Sequence, residues 1–276
     1  MKKILRPKYL IVYTLGCGII GILLRLWTLG SGPDSLGLYT PQPFAWTLLW
    51  LVSALCAALI ALLVNPLKRP GQYHDHFSAS LPGAVGNGFA AAGMILTGFR
   101  AYGEPSTIFS LVMSLLALAA ALGLCLAAAA RLRGNRQPFW AYLAACVFLA
   151  LRLFDRCRGW SELPQTGTYV FPFLASACLL LASFHVTAFQ VDLGSRRLSL
   201  FFSLASVYLC MICLASSEEP LFYLCMIVFL LTNLPTLRPL KKPQSAPAVQ
   251  EPPAKAVESH PSEMSYDELM DWLKNG

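Results

Sequence analysis

The sequence predicts an all-α integral membrane protein, an eight-transmembrane-helix bundle of consecutive hairpins. Hydrophobic residues make up 56% of the chain and charged residues 13%, too few for the surface of a soluble domain of this size. The uncharged runs 43–64 and 107–130 are each longer than the roughly 20 residues that cross a bilayer. Because backbone groups in lipid must be satisfied internally, these runs should be helices.

Eight apolar segments are separated by short polar connections, so successive helices should form antiparallel hairpins. The first lacks a small-residue cleavage site after its long core and is expected to be retained rather than removed as a signal peptide. The predicted helices cover residues 9–27, 43–64, 81–99, 107–130, 139–154, 168–191, 198–215 and 221–237.

The third segment is rich in glycine and predicts close helix packing. Ala84, Gly88 and Ala92 recur at four-residue spacing, which lets two helices approach closely in lipid. Asn87 within this segment is a polar intramembrane candidate, and a broken helix beside a substrate is the functional alternative. Ordinary packing is favoured, because no matching broken helix occurs elsewhere.

The charges predict the orientation of the bundle. The net charge of +7 lies in short clusters between apolar runs, which is typical of topology signals and not of nucleic-acid binding. An N-terminus inside places most of these clusters on the inner side, and an even number of helices returns the C-terminus there. The sequence therefore predicts a cell-membrane protein with both termini in the cytoplasm. Its first partner is the lipid bilayer.

An arginine followed two positions later by an aromatic residue closes three odd-numbered apolar segments. Arg25, Arg100 and Arg152 occupy these positions, all on the predicted outer side. Each can simply reach the interface beside its aromatic neighbour. If the three helices are neighbours, the arginines can instead converge on one small anionic ligand.

The predicted outer connection 155–167 extends this candidate ligand site. It contains Arg156, Arg158 and Trp160, and arginine forks suit carboxylates and phosphates. The local alternative is that Asp155 and Glu162 pair with these arginines and tie the connection to the membrane surface.

Histidines supply the alternative metal site. His185 lies within the sixth predicted helix, where an ionisable group is costly and often functional, although a neutral, hydrogen-bonded imidazole is favoured. With His74 and His76 it makes a zinc site conceivable, but the spacing matches no local zinc signature. A solvated loop with two histidines is favoured, and no cofactor is expected.

The chain beyond the bundle is predicted to have two parts. Residues 238–263 are proline-rich and should form a disordered linker, which leaves 1–237 as the transmembrane domain. Residues 264–276 predict a short amphipathic helix, because Ser265 and Glu268 form a capping box. Its apolar residues are expected to bind a cytoplasmic protein partner, with an inert frayed end as the alternative. These residues are Tyr266, Leu269, Met270, Trp272 and Leu273.

Three function classes remain at this point. The favoured one is a non-enzymatic multi-pass membrane protein acting through partners, as a sensor or a membrane-complex subunit. The first alternative is a transporter of a small, possibly anionic solute. The second is a zinc-dependent membrane-embedded hydrolase using His74, His76 and His185.

Overall fold

The computed structural model of the chain describes residues 7–30, 43–65, 77, 80–103, 108–136, 138–161, 166–215 and 219–235. Over these residues the chain forms eight α-helices and no β-strand, as the all-helical prediction requires. The helices are α1 Pro7–Leu29, α2 Pro43–Val64, α3 Leu81–Gly103, α4 Ile108–Leu132, α5 Phe139–Ser161, α6 Thr166–Gln190, α7 Arg196–Leu214 and α8 Pro220–Thr232.

Five helices, α1, α2, α4, α6 and α7, are long and apolar enough to cross a membrane. The remaining three differ for identifiable reasons. Helix α3 is glycine-rich, and α5 ends in a charged stretch. Helix α8 has only 13 residues. At about 1.5 Å per residue it is roughly 20 Å long, against about 30 Å for the hydrocarbon layer. The five apolar helices give the chain the character of a multi-pass helical membrane protein.

Two predicted helix ends differ from the structure by five residues or more. Helix α5 continues to Ser161, so Asp155, Arg156 and Arg158 lie on a helix and not in a connection. The charged last turns stay helical because Arg156 finds an anionic partner on a neighbouring element. Helix α8 ends at Thr232 rather than at 237, with Asn233 as its C-cap.

Helices α3 to α8 close into a ring. Each packs on the next in sequence, and α8 packs back on α3. Helix α1 joins this ring through α7, and α2 packs on α1 and, more weakly, on α7. Most helices that follow one another in the sequence therefore pack side by side. The exception is α2, which makes no comparable contact with α3 in the described part of the chain.

The packing face of α3 differs from the predicted one. Gly88 is exposed, and a Cβ added there would meet no atom within 4 Å. The glycines that face α8 are Gly86 and Gly93. A Cβ on Gly86 would collide with the Thr232 hydroxyl, and one on Gly93 would lie 3.1 Å from the Cβ of Cys225. The face of α3 that packs on α8 is therefore not the face predicted from Gly88 and Ala92.

Substituting alanine for Gly86 and for Gly88 should have different effects on the free energy of unfolding. The Gly86→Ala change should lower the free energy of unfolding by roughly 1–3 kcal/mol, because the new methyl group overpacks the α3–α8 contact. The matched Gly88→Ala change should leave stability unchanged or raise it by up to about 1 kcal/mol, since alanine is the better helix former. Thermal unfolding of the detergent-solubilised proteins measures both. Equal effects of the two changes would contradict this α3–α8 packing.

Candidate functional site

A buried ion pair lies at the end of the bundle where α3 and α5 finish and α8 begins. Arg152 on α5 donates a hydrogen bond from Nη2 to Oε2 of Glu219 at 2.5 Å. The two side chains are only 5% and 7% exposed. Both charged groups are removed from water, which costs free energy. Their mutual attraction offsets this desolvation cost only if the pairing geometry is good.

Two further arginines complete this arrangement, which we call the Glu219 cluster (Arg100, Arg152, Arg156 and Glu219). Arg156 donates from Nη2 to Oε1 of Glu219 at 2.6 Å. Arg100 on α3 lies 3.7 Å from the same oxygen through Nη1. Their side chains are 31% and 53% exposed. One carboxylate therefore joins helices α3, α5 and α8.

The backbone at the start of α8 fixes the position of Glu219. It is the N-cap residue, and Pro220 follows at the first helical position, where a missing N–H costs nothing. The amide of Tyr223 donates to the Glu219 carbonyl at 3.4 Å, which closes the first turn. A negative side chain also suits the positive end of the helix dipole. The local sequence thus places a carboxylate at the start of α8.

Aromatic rings support the buried arginine. The guanidinium carbon of Arg152 lies 3.9 Å from the ring centroid of Phe222 and 5.8 Å from that of Tyr223. Both rings belong to the first turn of α8, next to Glu219, and both are buried. Cation–π attraction strengthens when the groups are desolvated. The start of α8 therefore provides both the counter-charge for Arg152 and the aromatic rings that pack against its guanidinium.

The surrounding charges change the acidity of Glu219. Burial disfavours a charged carboxylate and by itself raises the pKa of Glu219, but attraction to Arg152, Arg156 and Arg100 outweighs burial. The pKa of Glu219 consequently lies below its usual value, and the side chain is ionised at neutral pH.

The cluster also contains a spare donor and a small cavity. The Nε of Arg152 is buried and has no hydrogen-bond acceptor among the described residues. A cavity of about 20 Å³ is bordered by Arg100, Glu219 and Thr97. This volume holds roughly one water molecule.

The other candidate residues of this end lie elsewhere. Arg25 is 1% exposed, and its guanidinium carbon lies 5.7 Å from the ring centroids of both Trp46 and Phe171. It is not among the cations that lower the pKa of Glu219. Arg158 and Trp160 lie in the last turns of α5, and Arg158 is exposed. The structure therefore gathers Arg100, Arg152 and Arg156, and ligand binding by any of these residues stays a prediction.

A second polar cluster joins the same three helices near their opposite ends. Asn87 on α3 is fully buried, and its Oδ1 accepts hydrogen bonds from the Tyr142 hydroxyl of α5 at 3.2 Å and from Asn233 Nδ2 at 3.0 Å. Asn233 is the C-cap of α8 and also donates to the carbonyl of Phe229 at 3.1 Å. The predicted intramembrane asparagine is thus buried and contacts both other helices.

The histidine candidates are only partly described. His185 on α6 stacks on Phe202 of α7, with ring centroids 5.4 Å apart and an interplanar angle of 12°. His74 and His76 lie outside the described residues. Among those that are described, no group of three or more histidine, cysteine or acidic side chains is placed to hold a metal ion. The residues of the predicted C-terminal helix, from Tyr266 to Leu273, also lie outside the described part.

Sequence reasoning missed three residues of these clusters. Glu219 carried a usable signal, because the fourth hairpin has acidic residues where the first three have an arginine. Asn233 was read as part of a longer helix, and its capping role depends on where α8 stops. Tyr142 carried no local signal, since only the tertiary fold brings it to Asn87.

No family model matches the chain, and the comparisons with curated proteins and with solved structures find no match.

The stability of the protein should fall on acidification through Glu219. A carboxyl with a lowered pKa in the folded state stabilises the fold above its unfolded pKa of about 4.3 and loses that contribution as the pH falls through the folded value. We expect the wild-type melting temperature to drop between pH 6 and pH 3. The Glu219→Gln variant should melt lower at pH 6 and depend less on pH.

Asp155→Asn is the matched control for this titration. Asp155 is an exposed carboxyl on α5 at the same end of the bundle. The control should keep the wild-type pH dependence. An unchanged pH profile in Glu219→Gln would show that Glu219 is not ionised within the cluster.

Proposed function

We propose that the chain is a non-enzymatic, multi-pass protein of the cell membrane that works through partners as a sensor. Its eight helices would place both termini in the cytoplasm and the Glu219 cluster on the outer side. The C-terminal helix, residues 264–276, would dock a cytoplasmic protein, and the linker 238–263 would tether it.

The orientation is supported by which connections lie together. Arg131 at the end of α4 donates from Nε to the Ser80 hydroxyl before α3 at 3.3 Å. Arg136 after α4 pairs with Asp192 after α6 at 2.9 Å. These contacts put three basic connections at the end opposite Glu219, where the positive-inside rule needs them.

One observation carries the sensor proposal: the short helix α8 is tied at both ends. Its N-cap Glu219 contacts α3 and α5 through arginines. Its C-cap Asn233 donates a hydrogen bond to Asn87 of α3, which also accepts one from Tyr142 of α5. In the sequence, the predicted linker and the segment that we expect to recruit a partner follow α8. A change in the contacts of Glu219 would therefore act on the helix that precedes these segments.

The same cluster favours a sensor over the solute-carrier alternative. Its arginines hold an internal carboxylate at 2.5 and 2.6 Å, and the cavity beside it, about 20 Å³, is too small to pass a solute. Through Glu219 these arginines join α3, α5 and α8. This arrangement suits a protein whose conformation depends on the contacts of Glu219.

Removing the C-terminal helix should remove a partner without disturbing the bundle. We expect a chain truncated before Met264 to insert and melt like the full chain in membranes, while a protein that co-purifies with the full chain is lost. Quantitative co-purification from native membranes measures this. We expect this outcome because the predicted stripe should bind a partner, while the bundle should fold without it.

Two multiple variants sharpen this test. Leu269→Ala with Met270→Ala and Leu273→Ala should reproduce the loss, because these residues form the predicted stripe. Asp271→Ala with Asn275→Ala, on the polar face, should retain the partner. Identical co-purification profiles for the full, truncated and stripe-substituted chains would refute partner docking by the tail.

A further inference from the structure

We propose that the Glu219 cluster is an oxyanion-binding site in which Glu219 is a displaceable internal occupant. The ligand chemistry is a carboxylate or phosphate group presented at this end of the bundle. The biological role of this site rests on the proposed sensor function. The binding site itself is inferred from the geometry of the cluster.

The donors are arranged as for an oxyanion. Arg152 holds Oε2 of Glu219 and Arg156 holds Oε1, at 2.5 and 2.6 Å. Each oxygen of the carboxylate thus has its own guanidinium, the charge-assisted geometry that also recognises free carboxylates and phosphates. Any group with two oxygens at the same spacing can replace the Glu219 carboxylate on these donors.

The exposure of the arginines increases from the buried base of the site to its solvent-facing rim. Arg152 is 5% exposed and forms the base, while Arg156 at 31% and Arg100 at 53% reach solvent. A ligand can therefore meet Arg100 first and retain it as a third contact. The cluster is charged on its open side and aromatic beneath, where Phe222 supports Arg152.

The base retains unused capacity. Arg152 Nε is a buried donor with no acceptor in the described part of the chain. An unsatisfied buried donor carries a desolvation cost that an added acceptor relieves. On the Arg100 side of the carboxylate, a cavity of about 20 Å³ has the volume of about one water molecule.

Glu219 and an external oxyanion compete for the same guanidiniums, so removing the internal charge should strengthen binding. In Glu219→Gln the amide keeps the volume of the side chain and loses its negative charge. This variant should bind oxyanions more tightly than the wild type. If the cluster has only a structural role, the variant should be less stable and should gain no affinity for oxyanions.

The test uses the full chain in nanodiscs of phosphatidylcholine, titrated with inorganic phosphate and with acetate by calorimetry and thermal shift. We expect Glu219→Gln to bind phosphate at least tenfold more tightly than the wild type. Arg100→Gln in the Glu219→Gln background should weaken binding at least tenfold without unfolding, since Arg100 is half-exposed. Arg133→Gln, at an exposed arginine just after α4, should leave binding unchanged.

A second arm identifies the source of the oxyanion. Nanodiscs containing phosphatidylglycerol, without soluble phosphate, should stabilise Glu219→Gln only if a lipid headgroup reaches the site. Stabilisation in either arm that depends on Arg100 supports the proposal. Absence of binding in both arms, or equal affinity of wild type and Glu219→Gln, overturns it. The tail truncation should bind phosphate normally, so failure of this site and failure of the sensor proposal remain distinguishable.

Discussion

The architecture depends on one carboxylate that pairs with arginines from two other helices. Leaving the buried charge of Arg152 or of Glu219 alone would cost several kcal/mol, whereas replacing a buried pair by apolar residues is often neutral. The Glu219 cluster therefore contributes less to bulk stability than to the choice of arrangement. It admits only packings in which α3, α5 and α8 meet at one corner, and it sets the register of α8 against both neighbours.

This constraint explains why so short a helix can complete the ring. Helix α8 is apolar all round and largely buried, so its side chains alone do not distinguish one rotation or depth from another. Its two ends supply that information. Glu219 fixes the first turn against Arg152, and Asn233 fixes the last against Asn87. Between them, Gly86 and Gly93 let α3 approach closely.

The sequence predicts the fold class and most helices well, because long uncharged runs have few alternatives in a bilayer. It fails where tertiary contacts override local pattern. Arg156 and Arg158 looked like a loop because charges interrupt the apolar run, yet α5 continues since Glu219 lies opposite. The small-residue spacing through Gly88 pointed to the wrong face of α3, because several glycines allow more than one register. Convergence of Arg100 with Arg152 needed the ring closure, which no local signal reports.

The most direct test of the central role of Glu219 is a double-mutant cycle between Arg152→Gln and Glu219→Gln, followed by the free energy of unfolding in mixed micelles. Glu219→Gln should destabilise the protein by about 3–5 kcal/mol, because it leaves the buried charge of Arg152 without a counter-charge. Arg152→Gln should destabilise it less, because Glu219 keeps its contacts with Arg156 and Arg100. The double variant should lose less than the sum of the two, with a coupling energy of about 2–3 kcal/mol. Additive effects, with a coupling near zero, would contradict the account.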